Sequence, residues 1–73
     1  MNIADIRTNQ LVQDGDGSLL KVSTVYLHRA TAQLVYPVPQ RTTVREFTEE
    51  QIGCWSEPSD NLIAQYDAAY GRD

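Results

Sequence analysis

The side chains in this sequence that could do chemistry are few. Cys54 and His28 are the single cysteine and the single histidine among 73 residues. A thiol enzyme needs a depressed cysteine pKa, a positioned base and an oxyanion site. Cys54 stands between Gly53 and Trp55 in a stretch that reads as extended chain, which predicts a small buried thiol beside an aromatic ring. His28 reads as a solvated imidazole at a strand end, with a pH-sensitive contact as the functional alternative. The stretch Asp14-Gly15-Asp16-Gly17 has the opening of a calcium loop. Counted from Asp14, however, Leu19 and Val25 occupy the positions where such a loop needs a glycine and a bidentate glutamate. A hairpin turn explains the stretch, and no metal is expected there.

Glu49 and Glu50 are neighbours, so they point about 100° apart on a helix or to opposite faces of a strand. Neither arrangement gives the opposed carboxylates of a glycoside hydrolase. They read as solvated charge at the lip of the domain, with contact to a partner as the alternative. Tyr26, Tyr36 and Trp55, with Arg29, Arg41 and Arg45 nearby, supply the mixture of rings and cations that stacks single-stranded nucleic acid. Packing in the core or at its rim is the competing role for those rings. From these residues neither catalysis nor a cofactor is expected.

The charge balance argues against phosphate as the main partner. Net charge is −4, and residues 1–56 hold six acids against five bases, whereas residues 57–73 hold four acids against Arg72. Binding nucleic acid needs a cationic stripe that releases counterions, and only a minority face has the means for it. Direct nucleic-acid binding is therefore the weaker expectation and a protein partner the stronger. An apolar content of 41% is too high for a disordered chain and predicts one small core. A lone cysteine, no cationic-apolar leader and no apolar run near the ~20 residues of a membrane span predict a soluble, monomeric protein of a reducing cytoplasm.

The elements that must position these residues fall into two parts, a β-rich body over 1–56 and a helical or frayed acidic tail over 57–73. Residues 9–13 read as a short strand, and the Asp-Gly-Asp-Gly-Ser turn follows. Residues 18–28 form the next strand candidate, with Leu20 and Val22 on one parity and Val25 and Leu27 on the other. A bulge near Ser23–Thr24 would turn all four inward. Residues 31–38 give a third strand, which Pro37 and Pro39 end at Tyr36 or confine to an edge. Residues 40–47 pair back with Val44 inward. Thr48 and Gln51 form a capping box around a single helical turn, and Gly53–Trp55 returns to extended chain. Phe47, Ile52 and Trp55 then plug the core against Val22, Val25, Leu27 and Leu34. In the tail, Ser56 or Ser59 caps a helix whose stripe is Leu62, Ile63, Tyr66, Ala69 and Tyr70, and Gly71 stops it. The expected fold is mainly β, a small SH3-like barrel of four to five antiparallel strands with a short C-terminal helix.

The layout from "GSLLKV" to "REFTEEQIGCW", in an acidic chain of this length with an apolar-acidic tail, resembles small bacteriophage-encoded transcription regulators that bind RNA polymerase. They are inhibitors and antiterminators of the kind found in a Xanthomonas phage. The likeness covers most of the chain and rests on size and element order, so no functional residue is carried over. It implies a protein of the host cytoplasm that binds the β′ amino-terminal segment and the β flap of host RNA polymerase. It would displace the sigma factor at initiation and suppress termination later. The residues themselves are compatible with such docking, because a small β-domain with a free edge accepts an extended peptide as an added strand. Glu46, Glu49 and Glu50 are the acids nearest the expected edge, and they would steer it toward a basic partner. Tyr36 and Val38 offer apolar contact, and Arg41 and Arg45 can pair with carboxylates of the partner. A single-stranded nucleic-acid module, or a protein-interaction module of another kind, remains the alternative.

Overall fold

The computed structural model describes residues 1–40 and 42–70. Its body is built around two hairpins. In the first, β1 (Leu11–Gln13) and β2 (Leu19–Val25) pair antiparallel with Val12 opposite Leu20. The loop between them is held by Asp14, whose Oδ1 accepts from the backbone N–H groups of Asp16 and Ser18, each at 2.9 Å. Gly17 takes a φ of 85°, a conformation that a Cβ penalises. This turn chemistry is the one expected from the sequence, and its acid is spent on backbone amides. In the second hairpin, β2 pairs with β3 (Arg29–Tyr36), and β3 then pairs with β4 (Arg45–Thr48). Strand order follows chain order, β1-β2-β3-β4, in one antiparallel four-stranded sheet.

The sheet is open. A fifth strand is reduced to a single bridge between Gln13 and Ser56, and α1 (Glu49–Ile52) runs between it and β4. The mainly β expectation is met, while the closed barrel is corrected. Two turn-forming residues follow the helix, Trp55 closes the core from that segment, and too little extended chain is left there to pair along β4. Strand limits shift as well. The third strand begins at Arg29 and ends at Tyr36, as the prolines require, and the fourth, expected over 40–47, is confined to Arg45–Thr48.

One face of the sheet carries the core. Ile6, Val12, Leu20, Val22, Ala30, Ala32, Ile52 and Trp55 form a single buried cluster, with Met1, Ile3, Val25, Leu34 and Phe47 packed on its margin. The register shifts between Val22 and Thr24, so Val22 faces Ala32 and Val25 faces Ala30. That is the expected bulge, and it brings Val25 to the same side as Val22. It does not bring Leu27 inward. The strand ends at Val25, and Leu27 stands 81% exposed in the following turn. Val44 is likewise exposed at 53%, because β4 begins only after it. Cys54 is exposed too, its Sγ 3.9 Å from the Glu50 carbonyl oxygen, which corrects the expectation of a buried thiol. The turn after α1 points it outward while Trp55 takes the interior position.

Residues 1–6 enter the core, a contribution with no periodic signal to announce it. A 3-10 turn at Ile3–Asp5 is capped by Asn2, and Ile6 is buried behind it. The Met1 amino group donates to the carbonyl oxygens of Gly53 and Trp55, at 3.1 and 2.7 Å, and so ties this segment to the plug. Thr48 and Gln51 make the reciprocal capping box expected of α1.

Leu19 is fully buried outside the main cluster, as is most of Leu62. Successive strand residues point to opposite faces, so Leu19 marks cover on the second face. That side is where α2 (Asp60–Tyr70) lies. Tyr36, the partner of Leu19 in the register, meets the Tyr70 ring edge-on at a centroid distance of 6.1 Å. Its hydroxyl donates to Gln65 Oε1, and the Tyr70 hydroxyl donates to the Pro37 carbonyl oxygen. Ser59 caps the helix through the Leu62 amide, and its own amide donates to Gln13 Oε1. Gly71, the expected stop, lies outside the described residues.

The attachment of α2 is small relative to the core. Deleting residues 57–73 is expected to leave the β body folded and to cost about 1–3 kcal/mol through Leu62 and the Tyr36–Tyr70 contact. A two-dimensional amide NMR spectrum checks this. Dispersed peaks for residues 9–56 are expected, and a collapsed spectrum would make the helix part of the core.

Candidate functional site

The capping box that starts α1 also places the acids. Thr48 ends β4, so Glu49 and Glu50 occupy the first turn of the helix, where the exposed N–H groups favour negative charge. Arg29 opposes Thr48 in the β3–β4 register, which brings the β2–β3 turn next to this helix start. The result is a set of cross-links. His28 Nδ1 is 2.5 Å from Glu49 Oε1, and Arg29 Nε is 3.1 Å from Glu46 Oε2. The Arg29 guanidinium also lies over the Tyr26 ring, 4.6 Å from its centroid. The structure gives His28 a carboxylate partner in place of a merely solvated imidazole, so a contact, the alternative for this residue, is present; it joins distant parts of the chain that spacing could not pair. All these side chains are substantially exposed, so the Arg29–Glu46 ion pair and the His28–Glu49 contact each contribute little to stability.

Of the residues expected to bind a partner, Arg45, Glu46, Glu49 and Glu50 come together along β4 and the start of α1. Arg45 extends over the Phe47 ring, at 5.7 Å. Tyr36 and Val38 do not join them. They lie at the far end of β3, which at its eight-residue length is about 24 Å from Arg29. There Tyr36 is half-buried under α2 and Val38 is exposed. Arg41 lies outside the described residues. Of the three rings considered as stacking platforms, Trp55 is buried, at 3% exposure, with Phe47 edge-on at 5.1 Å. It is core, and Tyr26 is the ring left open beside an arginine.

The outer side of β4 has no partner strand in the sheet. Its backbone groups therefore form an edge, with Glu46 and Thr48 directed to one face and Arg45 and Phe47 to the other. A second feature is a cleft of about 170 Å³ between β3 and α2, lined by Gln33, Leu34, Val35, Pro39, Gln40, Tyr66 and Tyr70. It holds no ionisable acid or base other than the two tyrosines. Among the described residues no group of three or more His, Cys, Asp or Glu side chains is placed to hold a metal, and no helix is long and apolar enough to cross a membrane. Sequence reasoning missed Leu27 as a surface residue, because its apolar character reads as core until the strand's end is known.

No family model, no curated protein and no solved structure matches this chain.

Proposed function

We propose that the protein is a non-enzymatic transcription regulator that binds host bacterial RNA polymerase, inhibiting initiation and suppressing termination. The observation that carries this reading is the open outer edge of β4, flanked by Glu46, Glu49 and Glu50. An extended segment of the polymerase adds to that edge by backbone hydrogen bonds, and the acids draw in a basic one. The β′ amino-terminal segment and the β flap are the sites implied by the resemblance to phage regulators. Arg45 meets a carboxylate of the partner, and Tyr36 with Val38 forms a second, apolar contact at the other end of the sheet. The protein acts as a monomer in the host cytoplasm.

The fold supports the same reading. The order Ser56-β1-β2-β3-β4, with a one-turn helix ahead of the last bridge, is compatible with an SH3-like arrangement whose fifth strand is a single pair. Such small domains dock peptides.

The test is purified core polymerase titrated with the protein, followed by promoter-dependent transcription with and without a terminator. Micromolar or tighter binding, fewer initiated transcripts and more read-through are expected. Changing Glu49→Lys and Glu50→Lys together is expected to weaken binding about tenfold, mainly by slowing encounter, without lowering the melting temperature beyond a few degrees. No binding by the unaltered protein at micromolar concentration rejects the polymerase. Binding that ignores both the charge reversal and added salt rejects the steering.

A further inference from the structure

The β2–β3 turn is unusual in what it exposes and in how firmly it is held. Leu27 is 81% exposed and Tyr26 46%. A single exposed leucine is common on protein surfaces. Here two adjacent apolar residues project from a hairpin whose every flank is tied down. The Tyr26 amide donates to the Arg29 carbonyl oxygen at 2.8 Å and closes the turn. The Arg29 side chain covers Tyr26 and reaches Glu46 on β4. His28 reaches Glu49 on α1. The turn is thus braced against two other elements by side chains that leave Leu27 exposed and outside the core cluster.

Ordering a loop at an interface costs free energy on binding, and a loop already ordered avoids that cost. The surroundings also specify the partner. Glu46 and Glu49 are tied to the turn through Arg29 and His28, and Glu50 follows in α1; against Arg29 and, further along β4, Arg45, the formal charge of the group is −1. A knob that is apolar at its centre and acidic at its rim matches an apolar pocket bordered by lysine or arginine. It also continues the edge of β4, since Thr48 is paired with Arg29.

We infer that the β2–β3 turn, with Leu27 at its tip and Tyr26 beside it, is the anchor by which this protein docks into an apolar pocket with a basic rim on a protein partner. The choice of polymerase as that partner rests on the function proposed above; the anchor itself rests on the turn. Leu27 enters the pocket, Tyr26 covers its margin, and the acids face the basic rim. The polar border then excludes water from the apolar contact, as at the centre of most protein interfaces.

The experiment is an amide-resolved NMR titration of the full chain with two probes. One is core RNA polymerase, the other a synthetic amphipathic peptide of leucines and lysines, which offers the same apolar and basic chemistry without the polymerase. With whichever probe binds, the amides of 26–29 and 46–50 are expected to shift or broaden first. Leu27→Ser is expected to weaken that binding about tenfold and Leu27→Met to restore it, with melting temperatures unchanged because Leu27 makes no core contact. Polymerase binding that maps to 36–44 or 62–70, or that ignores Leu27→Ser, overturns the anchor and leaves the polymerase reading standing. Peptide binding at the turn with no polymerase binding does the reverse. If neither probe binds, both are overturned.

Discussion

Replacing Trp55 with alanine is expected to unfold the protein at room temperature. Trp55 is 3% exposed, sits in the main cluster with Ile52 and Val12, and holds the Phe47 ring edge-on. Truncating a buried aromatic costs about 3–5 kcal/mol, from lost transfer free energy and from the cavity left behind. Domains as small as this one stand near the low end of the ~5–15 kcal/mol that native proteins have in hand. The loss also loosens the segments tied to this point, because the Trp55 carbonyl oxygen accepts from the Met1 amino group and Ser56 makes the bridge to Gln13. Thermal unfolding followed by circular dichroism checks it. A Trp55→Ala protein that melts cooperatively within a few degrees of the parent would show that the cluster closes elsewhere.

The second large effect comes from adding volume. Ala30 and Ala32 are fully buried on β3, on the face that α1 crosses, and Ile52 of that helix is fully buried as well. Small residues on the strand let the helical turn approach closely. Each of Ala30→Leu and Ala32→Leu adds three carbons to a filled core, and overpacking costs about 1–3 kcal/mol per site. Together they are expected to cost about 2–6 kcal/mol and to detach α1 from the sheet. The measurement is urea unfolding of both single variants and the double. A drop in the midpoint with an unchanged slope is expected for the singles. The double is expected to lose dispersion at the amides of 49–56 even where the hairpins persist. Singles as stable as the parent would mean that α1 stands off the sheet.

These two results bear on function, because the core holds the docking residues in register. Phe47 packs on the main cluster while Glu46, its neighbour in β4, faces out to Arg29. Ile52 is buried while Glu49 and Glu50, at the other end of the same turn, stay at the surface. Loss of either plug residue would therefore scatter the acidic group that the proposed partner meets, with no change to the acids themselves.

What the sequence determined by itself is local. The Asp14 turn, the bulge after Val22, the end of β3 at Tyr36, the Thr48–Gln51 capping box and a helix capped by Ser56 or Ser59, of which the structure uses Ser59, are each set by side chains a few residues apart. Turn chemistry, proline's missing donor and caps act at that range, so they can be read without knowing the fold. The tertiary structure alone decided which apolar residues are inside. Leu27 and Val44 have the character of core residues, but they sit just beyond strand ends, where the pleat no longer directs a side chain inward. Ile6 and Ala30 are inside because other elements come to cover them, and the sheet stays open because the chain spends its last extended residues on Trp55 and one bridge. The same holds for the candidate site. The acids were legible as a group, while their junction with His28, Arg29 and Leu27 exists only because β3 and β4 pair in a register that sets Arg29 opposite Thr48. Contacts between residues far apart in the chain depend on that register, and register is fixed by the packing of a whole face, which no short stretch of sequence contains.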